Sequence, residues 1–308
     1  QVFYKNQLSL RFINNSEHND FALDLKPAVW TQPNPHFFAE TRLELTAGTE
    51  GFHPGLSPAY FKVKYSPFEL EVGKSRLKWG PGKFASLSLA TDSYPTPFFY
   101  SNRWFKDLEE IDLFKLSAEL GPFNFSYFTA ADYYFWSRRE GNEPALSGLR
   151  ADWRINDYLR IGAGDTVLSP DSMETTILVT DPISYFTDLV DSPQQEENVN
   201  VNGTVDFTLN INSLFQFYGE YIWDSTVGED SKEDYGTAEA GAKTAFLTGF
   251  YFPFEAEDAI YSLKAEYAEV DDTTYTFPYD KNLVYKYGES WLGHWAGSDS
   301  KVTVLQFA

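Results

Sequence analysis

Two pairs of neighbouring carboxylates are the residues of this sequence best suited to acid–base chemistry. They are Glu109-Glu110 and Asp271-Asp272. Hydrolysis of a glycosidic bond uses two carboxyl groups that face each other across that bond. Neighbouring residues of a β-strand point to opposite faces, so neither pair can converge on one substrate atom. The motifs GxSxG and HExxH and the phosphate-binding P-loop are absent as well. We therefore predict that the protein is not an enzyme.

The sequence offers few ligands for a metal ion or a cofactor. It contains no cysteine, and its four histidines are scattered at positions 18, 36, 53 and 294. Structural zinc sites need clustered cysteine and histidine. An acidic run at residues 228–234 lacks the spacing of oxygen ligands found in calcium loops. We predict neither a metal site nor a cofactor.

The net charge of −21, from 45 acidic and 24 basic residues, restricts the possible partners. Nucleic acids are bound by Lys and Arg that neutralise phosphates, so we expect no nucleic-acid partner. No stretch approaches 18 consecutive apolar residues, which excludes a bundle of membrane-spanning helices. Aromatic residues make up 18% of the chain, and the fold has to place them.

Apolar and polar residues alternate with a period of two along much of the chain, which is the pattern of β-strands with one apolar face. In one such stretch, Phe215, Phe217, Tyr221 and Trp223 fall on one face and Glu220 falls on the other. The alternation predicts 14 strands, near residues 2–12, 20–30, 37–48, 57–66, 68–78, 108–120, 123–138, 145–155, 158–168, 198–210, 213–224, 235–250, 258–270 and 297–308.

The connections between these strands fall into two alternating sets. After the first two strands, one set consists of tight turns such as Ser66-Pro67 and Gly121-Pro122, with a longer link at residues 253–258. The other set is mostly long, acidic and rich in Tyr and Phe. Short turns on one rim and long loops on the other are typical of an outer-membrane β-barrel.

The sequence therefore predicts an all-β fold, a single antiparallel transmembrane β-barrel domain over residues 1–308. About 14 strands are expected, and counts of 12 to 18 are compatible. Short turns would face the periplasm and long loops the cell exterior. The apolar faces would contact outer-membrane lipid and lipopolysaccharide, with Tyr, Trp and Phe near the strand ends as interfacial girdles. We expect a mature chain, after removal of a signal peptide, in the bacterial outer membrane.

The inward faces of such a barrel would carry charges of both signs at close quarters. Arg150, Asp152 and Arg154 share one strand, and Lys264 and Glu266 share another. Interleaved opposite charges favour an interior that packs against itself, whereas a diffusion pore usually has a constriction of one sign. We therefore favour a narrow or plugged lumen, with an open lumen as the alternative.

One segment, residues 72–98, interrupts the strand pattern. Its alternation breaks at Gly73, and the chain then reads Trp79-Gly80-Pro81-Gly82. Gly and Pro force a sharp, rigid change of direction, and aromatic side chains favour the membrane interface. We expect the fifth strand to leave the bilayer near Gly73 and Trp79 to lie at the interface.

This segment resembles the signature of the capsule assembly Wzi family of outer-membrane proteins. The matching residues are Gly73, Arg76, Trp79, Gly80, Pro81, Gly82, Ser86, Leu87, Leu89, Asp92, Pro95 and Pro97. Residues 146–164 resemble a second, looser pattern of the family, a Gly-x-Arg strand, a short turn and a Leu-x-x-Gly strand. The resemblance implies a barrel that anchors or assembles capsular or other extracellular polysaccharide at the cell surface, in a lectin-like and non-catalytic way.

A polysaccharide would be held by exposed aromatic and polar clusters, because sugar rings stack on Trp and Tyr and sugar hydroxyls pair with polar side chains. The candidates in the long loops are Trp79, Tyr94, Tyr100, Arg103, Trp104, Tyr134, Trp136, Arg138 and Arg139, with Trp291 and Trp295 in the last loop. Each aromatic residue has an alternative role in a girdle or in loop packing, and each arginine as a partner of loop carboxylates. The alternative function is a diffusion porin for small solutes.

Overall fold

The computed structural model describes residues 2–14, 19–48, 51–91, 111–130, 145–169, 199–211, 215–227, 243–256, 259–276, 284–287 and 290–307. Every regular element in these ranges is a β-strand, and they contain no helix long and apolar enough to cross a membrane. The strands are β1 (Val2–Asn14), β2 (Asn19–Asn34), β3 (Phe37–Gly48), β4 (Gly51–Tyr65), β5 (Phe68–Ser75), β6 (Lys78–Trp79), β7 (Leu89–Ala90), β8 (Ile111–Leu120), β9 (Phe123–Ala130), β10 (Ala145–Arg154), β11 (Leu159–Ser169), β12 (Val199–Ile211), β13 (Phe215–Val227), β14 (Lys243–Ala256), β15 (Ala259–Val270), β16 (Lys286–Tyr287), β17 (Ser290–Trp291) and β18 (Ser300–Phe307).

Fourteen of these strands form one antiparallel sheet in up-and-down order. The order is β1-β2-β3-β4-β5-β8-β9-β10-β11-β12-β13-β14-β15-β18, and the short strands form two separate pairs, β6 with β7 and β16 with β17. The predicted count of 14 sheet strands is confirmed. Within the described residues, the ladder runs from β1 to β18 without a pairing between these two strands.

One predicted connection is wrong, and the strand before it ends later than predicted. We placed a strand near residues 235–250 and a link at 253–258, but β14 spans Lys243–Ala256 and contains Pro253 opposite Ser262. Proline has no N–H group to donate, so a strand tolerates it where no ladder hydrogen bond needs that donor. The pairing of β13 with β14 reaches only to Tyr251 among the described residues, so Pro253 lies beyond that ladder.

The two faces of the sheet divide as the alternation predicts. In β13, Phe217, Tyr221 and Trp223 are exposed, whereas Tyr218 and Glu220 are buried. The other exposed apolar side chains of the outward face include Phe114, Leu116, Phe125, Trp153, Ile161, Val205, Phe246, Phe252, Leu305 and Phe307. A water-facing sheet would not place its aromatic side chains outside and its carboxylates inside, whereas a lipid-facing sheet does.

The concave side of the sheet is filled by two inserted chain segments. We call residues 76–91 the plug segment, and residues 271–276, 284–287 and 290–299 the cap segment. Leu77, Trp79 and Leu87 of the plug segment share one buried apolar cluster with Phe128 of β9 and Leu247 of β14. The prediction of an interior that packs against itself is confirmed for this part of the barrel.

Candidate functional site

The plug segment begins where β5 ends. This end, at Ser75, is three residues earlier than the predicted end of the strand at residue 78. Gly73 has a φ of +124° and lies against β4, where a Cβ atom would sit 2.4 Å from the carbonyl oxygen of Ala59. A side chain at position 73 is therefore excluded both by backbone conformation and by space. After this close approach the chain turns inward, and Leu77 and Trp79 become buried.

Glu220 of β13 is the first anchor of the plug segment. Its carboxylate accepts hydrogen bonds from the backbone N–H groups of Leu87, at 3.0 Å, and Ser88, at 2.8 Å. The hydroxyl of Ser86 donates to the same carboxylate at 3.0 Å. Glu220 is 3% exposed, so these donors replace the water that the carboxylate loses on burial. The alternation placed Glu220 in the lumen, but its partners are 132 to 134 residues away in the sequence.

Glu266 of β15 is the second anchor. Its carboxylate accepts the backbone N–H of Lys83 at 2.8 Å, a longer bond from Phe84 at 3.4 Å, and the hydroxyl of Tyr218 at 2.9 Å. Two carboxylates from different wall strands thus bind consecutive parts of one loop. This arrangement holds the plug segment mainly through its backbone N–H groups, together with the hydroxyl of Ser86.

The two glycines of the Trp-Gly-Pro-Gly motif let the backbone approach these anchors. Gly80 has a φ of +89°, and a Cβ atom there would lie 2.6 Å from Oε2 of Glu220. At Gly82 a Cβ atom would lie 1.9 Å from the carbonyl oxygen of Ala85. A methyl group at Gly80 would overlap the Glu220 carboxylate, and a methyl group at Gly82 would overlap the backbone of the loop itself at Ala85. The motif is therefore the part of the plug segment that docks on the wall.

Trp79 lies inside the barrel, so its predicted position at the membrane interface is wrong. The side chain is 5% exposed, and its ring meets Phe128 edge-on at a centroid distance of 5.0 Å. Beside it, Gly148 of β10 leaves the space that the indole occupies. The reason is local geometry: after Ser75, alternate residues of the plug segment point into the lumen, and Trp79 is one of them.

The cap segment closes over the plug segment through tyrosine hydroxyls. Tyr275 donates to the carbonyl of Leu87 at 2.7 Å, and Tyr285 donates to the carbonyl of Ser88 at 2.8 Å. Burial raises the pKa of both phenols, so both stay protonated and remain donors. Glu220 thus binds the N–H groups of Leu87 and Ser88, and the cap segment binds the carbonyl groups of the same two residues.

His294 is a buried titratable group of the cap segment. It is 1% exposed, and desolvation lowers its pKa from 6.5 to about 4. Its Nδ1 accepts the backbone N–H of Ala296 at 3.2 Å, which only a neutral Nδ1 can do. The roles of Tyr275 and Tyr285 were not predicted, because their partners lie in distant parts of the chain. The burial of His294 was not predicted either, because it depends on packing that the sequence pattern does not show.

A charge network lines the wall nearer the short turns. Arg150 binds Asp152 and Asp206 at 2.7 Å each, and Arg160 binds Asp152 at 2.9 Å. Gly162 leaves room for the guanidinium, because a Cβ atom there would lie 2.1 Å from Nη2 of Arg150. We did not predict Asp206 as an inward-facing residue. It lies opposite Glu220 in the ladder of β12 and β13, so the two side chains face the same side of the sheet.

The described residues include few of the predicted sugar contacts. Trp79 is described and buried, and Tyr94, Tyr100, Arg103, Trp104, Tyr134, Trp136, Arg138 and Arg139 lie outside the described residues, as do Pro95 and Pro97 of the motif. Trp291 and Trp295 are partly buried against the interior cluster. Lys286 lies over the Trp291 ring at 4.1 Å from its centroid, a cation–π contact at the outer end of the barrel.

Comparison with known proteins relates this chain to a protein family. The family described as capsule assembly protein Wzi matches residues 4–308. Among solved structures, Escherichia coli Wzi, an outer membrane protein involved in group 1 capsule assembly and a carbohydrate-binding β-barrel, superimposes with a TM-score of 0.57 at 14% identity. The match covers 98% of this chain and 64% of that one, so this chain spans less than two thirds of its length.

Other outer-membrane proteins align less well. OmpT of Vibrio cholerae has a TM-score of 0.42 at 12% identity, with 100% of this chain and 99% of that chain covered. OccD3 of Pseudomonas aeruginosa has a TM-score of 0.45 at 11% identity, with 99% and 65% covered. A comparison with curated protein sequences finds no match. The family match, which covers nearly the whole sequence, shows that this chain belongs to the capsule assembly protein Wzi family of bacterial outer-membrane β-barrels.

Proposed function

We propose that this barrel holds polysaccharide at the outer surface of the outer membrane, as a lectin-like anchor that catalyses no reaction. Family membership supports a role in capsule assembly. The E. coli protein of the same family is described as a carbohydrate-binding barrel, and its fold is shared by this chain. The ligand we propose is capsular or other extracellular polysaccharide.

The observation that carries the proposal is the attachment of the plug segment to Glu220 and Glu266 inside the barrel. A diffusion pore needs a continuous water-filled path for solutes. Here residues of the plug segment occupy the lumen, and the cap segment binds the same residues from the other side. Binding at the long-loop surface therefore fits the interior better than passage through it.

The proposed contacts are the outer-loop residues. Tyr94, Tyr100, Arg103 and Trp104 follow the plug segment in the sequence, and Tyr134, Trp136, Arg138 and Arg139 follow β9. We assign Trp79 a positioning role, because its buried ring anchors the beginning of the plug segment, and the plug segment leads to the loop that carries Tyr94 and Trp104. Trp291 offers a partly exposed ring beside Lys286.

We propose a second class of partner, the lipid and lipopolysaccharide of the outer membrane, and the outward face of the sheet supports it. Its exposed aromatic and aliphatic side chains suit contact with lipid and lipopolysaccharide. At the short-turn ends, Phe123 stacks on Trp153 at 5.7 Å and Phe254 stacks on Tyr261 at 5.5 Å. Stacked rings at strand ends are what an interfacial girdle requires.

The test measures retention of polysaccharide on proteoliposomes that carry the purified barrel. The polysaccharide is extracted from the surface of cells that produce this protein and is fluorescently labelled. Trp104→Ala and Trp136→Ala should each weaken retention by about tenfold or more, the usual effect of removing a central aromatic contact. Trp153→Phe is the matched control, because it keeps an aromatic ring on the lipid face and should retain wild-type binding.

Two outcomes would contradict the proposal. Failure of the wild-type barrel to retain any surface polysaccharide would remove the anchoring function. Large, steady conductance steps from the wild-type protein in a planar bilayer would make the diffusion porin the better description. Unchanged retention in both tryptophan variants would keep the function but reject these two residues as contacts.

A further inference from the structure

Three lysine side chains lie close together in the lumen, on the plug segment and on the wall beside it. Lys78 and Lys83 belong to the plug segment and are exposed, and Lys264 of β15 is half-buried. The Nζ atoms of Lys83 and Lys264 lie 6.0 Å and 5.7 Å from the centroid of the same ring, that of Tyr251 in β14. Two ammonium groups therefore share one aromatic partner.

The negative charge near these lysines does not balance them. In the part of the chain that the structure describes, none of the three ammonium groups forms an ion pair with a carboxylate. Glu266 is the carboxylate whose charge attracts both Lys78 and Lys83. It already accepts the backbone N–H groups of Lys83 and Phe84 and the hydroxyl of Tyr218. One carboxylate thus stands against three ammonium groups.

The electrostatics of Lys83 show this excess of positive charge. Its side chain lies against two rings, and the partial desolvation lowers its pKa. The charges of Lys78 and Lys264 lower the pKa further, and the effect of either lysine is larger than the opposite effect of Glu266. A positive potential at an accessible position in a recess attracts small anions.

The neutral partners of these lysines hold the side chains but leave their charge. The Nζ atom of Lys83 lies 5.9 Å from the centroid of Tyr218, in addition to its contact with Tyr251. A cation–π contact uses the quadrupole of the ring, which has no net charge. Lys264 also donates to Oε1 of Gln306 at 3.2 Å, another neutral acceptor. The ammonium groups are therefore held in place and remain able to bind an anion.

We propose that Lys78, Lys83 and Lys264 form a binding site for a small oxyanion, a phosphate or carboxylate group, in the lumen beside the plug segment. Charged oxygens accept strong hydrogen bonds from ammonium groups. An ammonium group is a point charge with three rotatable donors, so a lysine cluster accommodates either oxyanion. A neutral solute would leave the repulsion among the lysines in place. The site uses none of the long-loop residues, so it is independent of the polysaccharide contacts proposed above.

The experiment is calorimetric titration of the purified full chain at neutral pH. The micelles consist of an uncharged polyoxyethylene detergent, which has neither a sugar nor a phosphate headgroup. Sodium phosphate, sodium glucuronate and glucose are the probes, at equal ionic strength. We expect saturable binding of at least one oxyanion, and binding of glucose weaker by about tenfold or more. Tighter binding of phosphate would identify a phosphate ester as the natural group, and tighter binding of glucuronate would identify a carboxylate.

Substitutions of the lysines test the location of the site. Lys83→Gln and Lys264→Gln should each weaken oxyanion binding by about tenfold, the usual effect of losing a hydrogen bond to a charged group. Lys83→Arg keeps the charge and should retain most of the affinity. Both variants at position 83 should keep the plug segment docked, because Glu266 binds the backbone N–H of that residue. Lys301→Gln is the matched control, since it removes an exposed lysine of β18 and should bind as the wild type does.

NMR titration of isotope-labelled lysine side chains gives a second readout. The pKa of Lys83 should rise when the oxyanion binds, because a negative neighbour favours the ammonium form. It should also rise in Lys264→Gln, which removes a positive neighbour. A purely structural role of Lys83 would give no response to the oxyanion.

Three results would overturn the proposal. The first is the absence of saturable binding for both oxyanions, and the second is equal affinity for glucose. The third is oxyanion binding that persists undiminished in folded Lys83→Gln and Lys264→Gln proteins. Retention of polysaccharide on proteoliposomes should be unchanged in Lys83→Gln, so a failure of this site and a failure of the anchoring function are separate results.

Discussion

Gly148 of β10 lies directly against the indole of Trp79, and a Cβ atom at position 148 would sit 2.6 Å from Cη2 of that ring. The two residues belong to the two separate sequence patterns that resemble the Wzi family. Their contact explains why both patterns occur in one chain: the first inserts a large ring, and the second provides a wall position without a side chain. Three predictions concern how this insertion is held.

Gly148→Ala should displace Trp79 and loosen the plug segment. The new methyl group would overlap Trp79 and also Phe128, whose Cε1 atom would lie 2.7 Å away. Overpacking of this kind costs about 1 to 3 kcal/mol. Urea unfolding of the barrel in lipid vesicles, followed by tryptophan fluorescence, measures the loss. Trp79→Leu in the Gly148→Ala background should recover part of it, and equal losses with and without Trp79→Leu would show that the two residues are not coupled.

Glu220→Gln should release the plug segment although the two side chains have almost the same shape. Both carboxylate oxygens accept backbone N–H groups, one from Leu87 and one from Ser88. The amide has only one acceptor, and its NH₂ group would face a donor, which costs about 1 to 3 kcal/mol for the buried N–H left unpaired. Hydrogen exchange at the amides of Leu87 and Ser88 should accelerate.

Glu119→Gln is the control for this variant, because Glu119 is an exposed carboxylate on the short-turn side. It should leave exchange at both amides unchanged. Conductance in planar bilayers gives a second readout, and Glu220→Gln should show more frequent open steps than the wild type. Undiminished protection of the two amides in Glu220→Gln would mean that the carboxylate does not hold the plug segment.

Acidification should destabilise the cap segment through His294. Its folded pKa of about 4 lies below the unfolded value of 6.5, so protons bind preferentially to the released state. The contribution of a neutral, buried His294 is complete above pH 6.5 and falls as the pH drops through 4, by about 3 kcal/mol in total. Hydrogen exchange of residues 290–299 between pH 7 and pH 4 measures this loss of protection.

A His294→Gln variant separates this effect from that of the carboxylates nearby. Glutamine has no charge in this range, while Glu220 and Asp224 remain in place. The stability of the cap segment in the variant should therefore depend less on pH between 6.5 and 4. The same loss of protection in wild type and variant, after correction for the intrinsic exchange rate, would show that His294 is not its source.

Local patterns in the sequence predicted the wall of this barrel. Alternation with a period of two depends only on which face of a strand meets lipid, so it located 14 sheet strands and both faces of β13. The alternation of short turns and long loops predicted the up-and-down order for the same local reason. The Wzi resemblance rested on the spacing of Gly, Trp and Pro, which the docking of Gly80 and Gly82 now explains.

Local patterns failed where the chain leaves the wall. Beyond Ser75 the chain is no longer part of the wall ladder, so Trp79 was assigned to the interface by residue type and is in fact inside the lumen. Pro253 was read as a loop residue by type and lies in β14. Residue type gives only an average preference, and the packing around a position decides whether that preference applies.

The sequence by itself therefore determined the family, the antiparallel wall, its lipid-facing and inward faces, and an interior of mixed charge. Only the tertiary structure decided which interior groups bind which loop. Glu220 meets Leu87 across 133 residues, and Tyr275 meets the same residue across 188. Such contacts form only because the curved sheet brings these atoms close together in space. The periodicity within a strand carries no information about that distance.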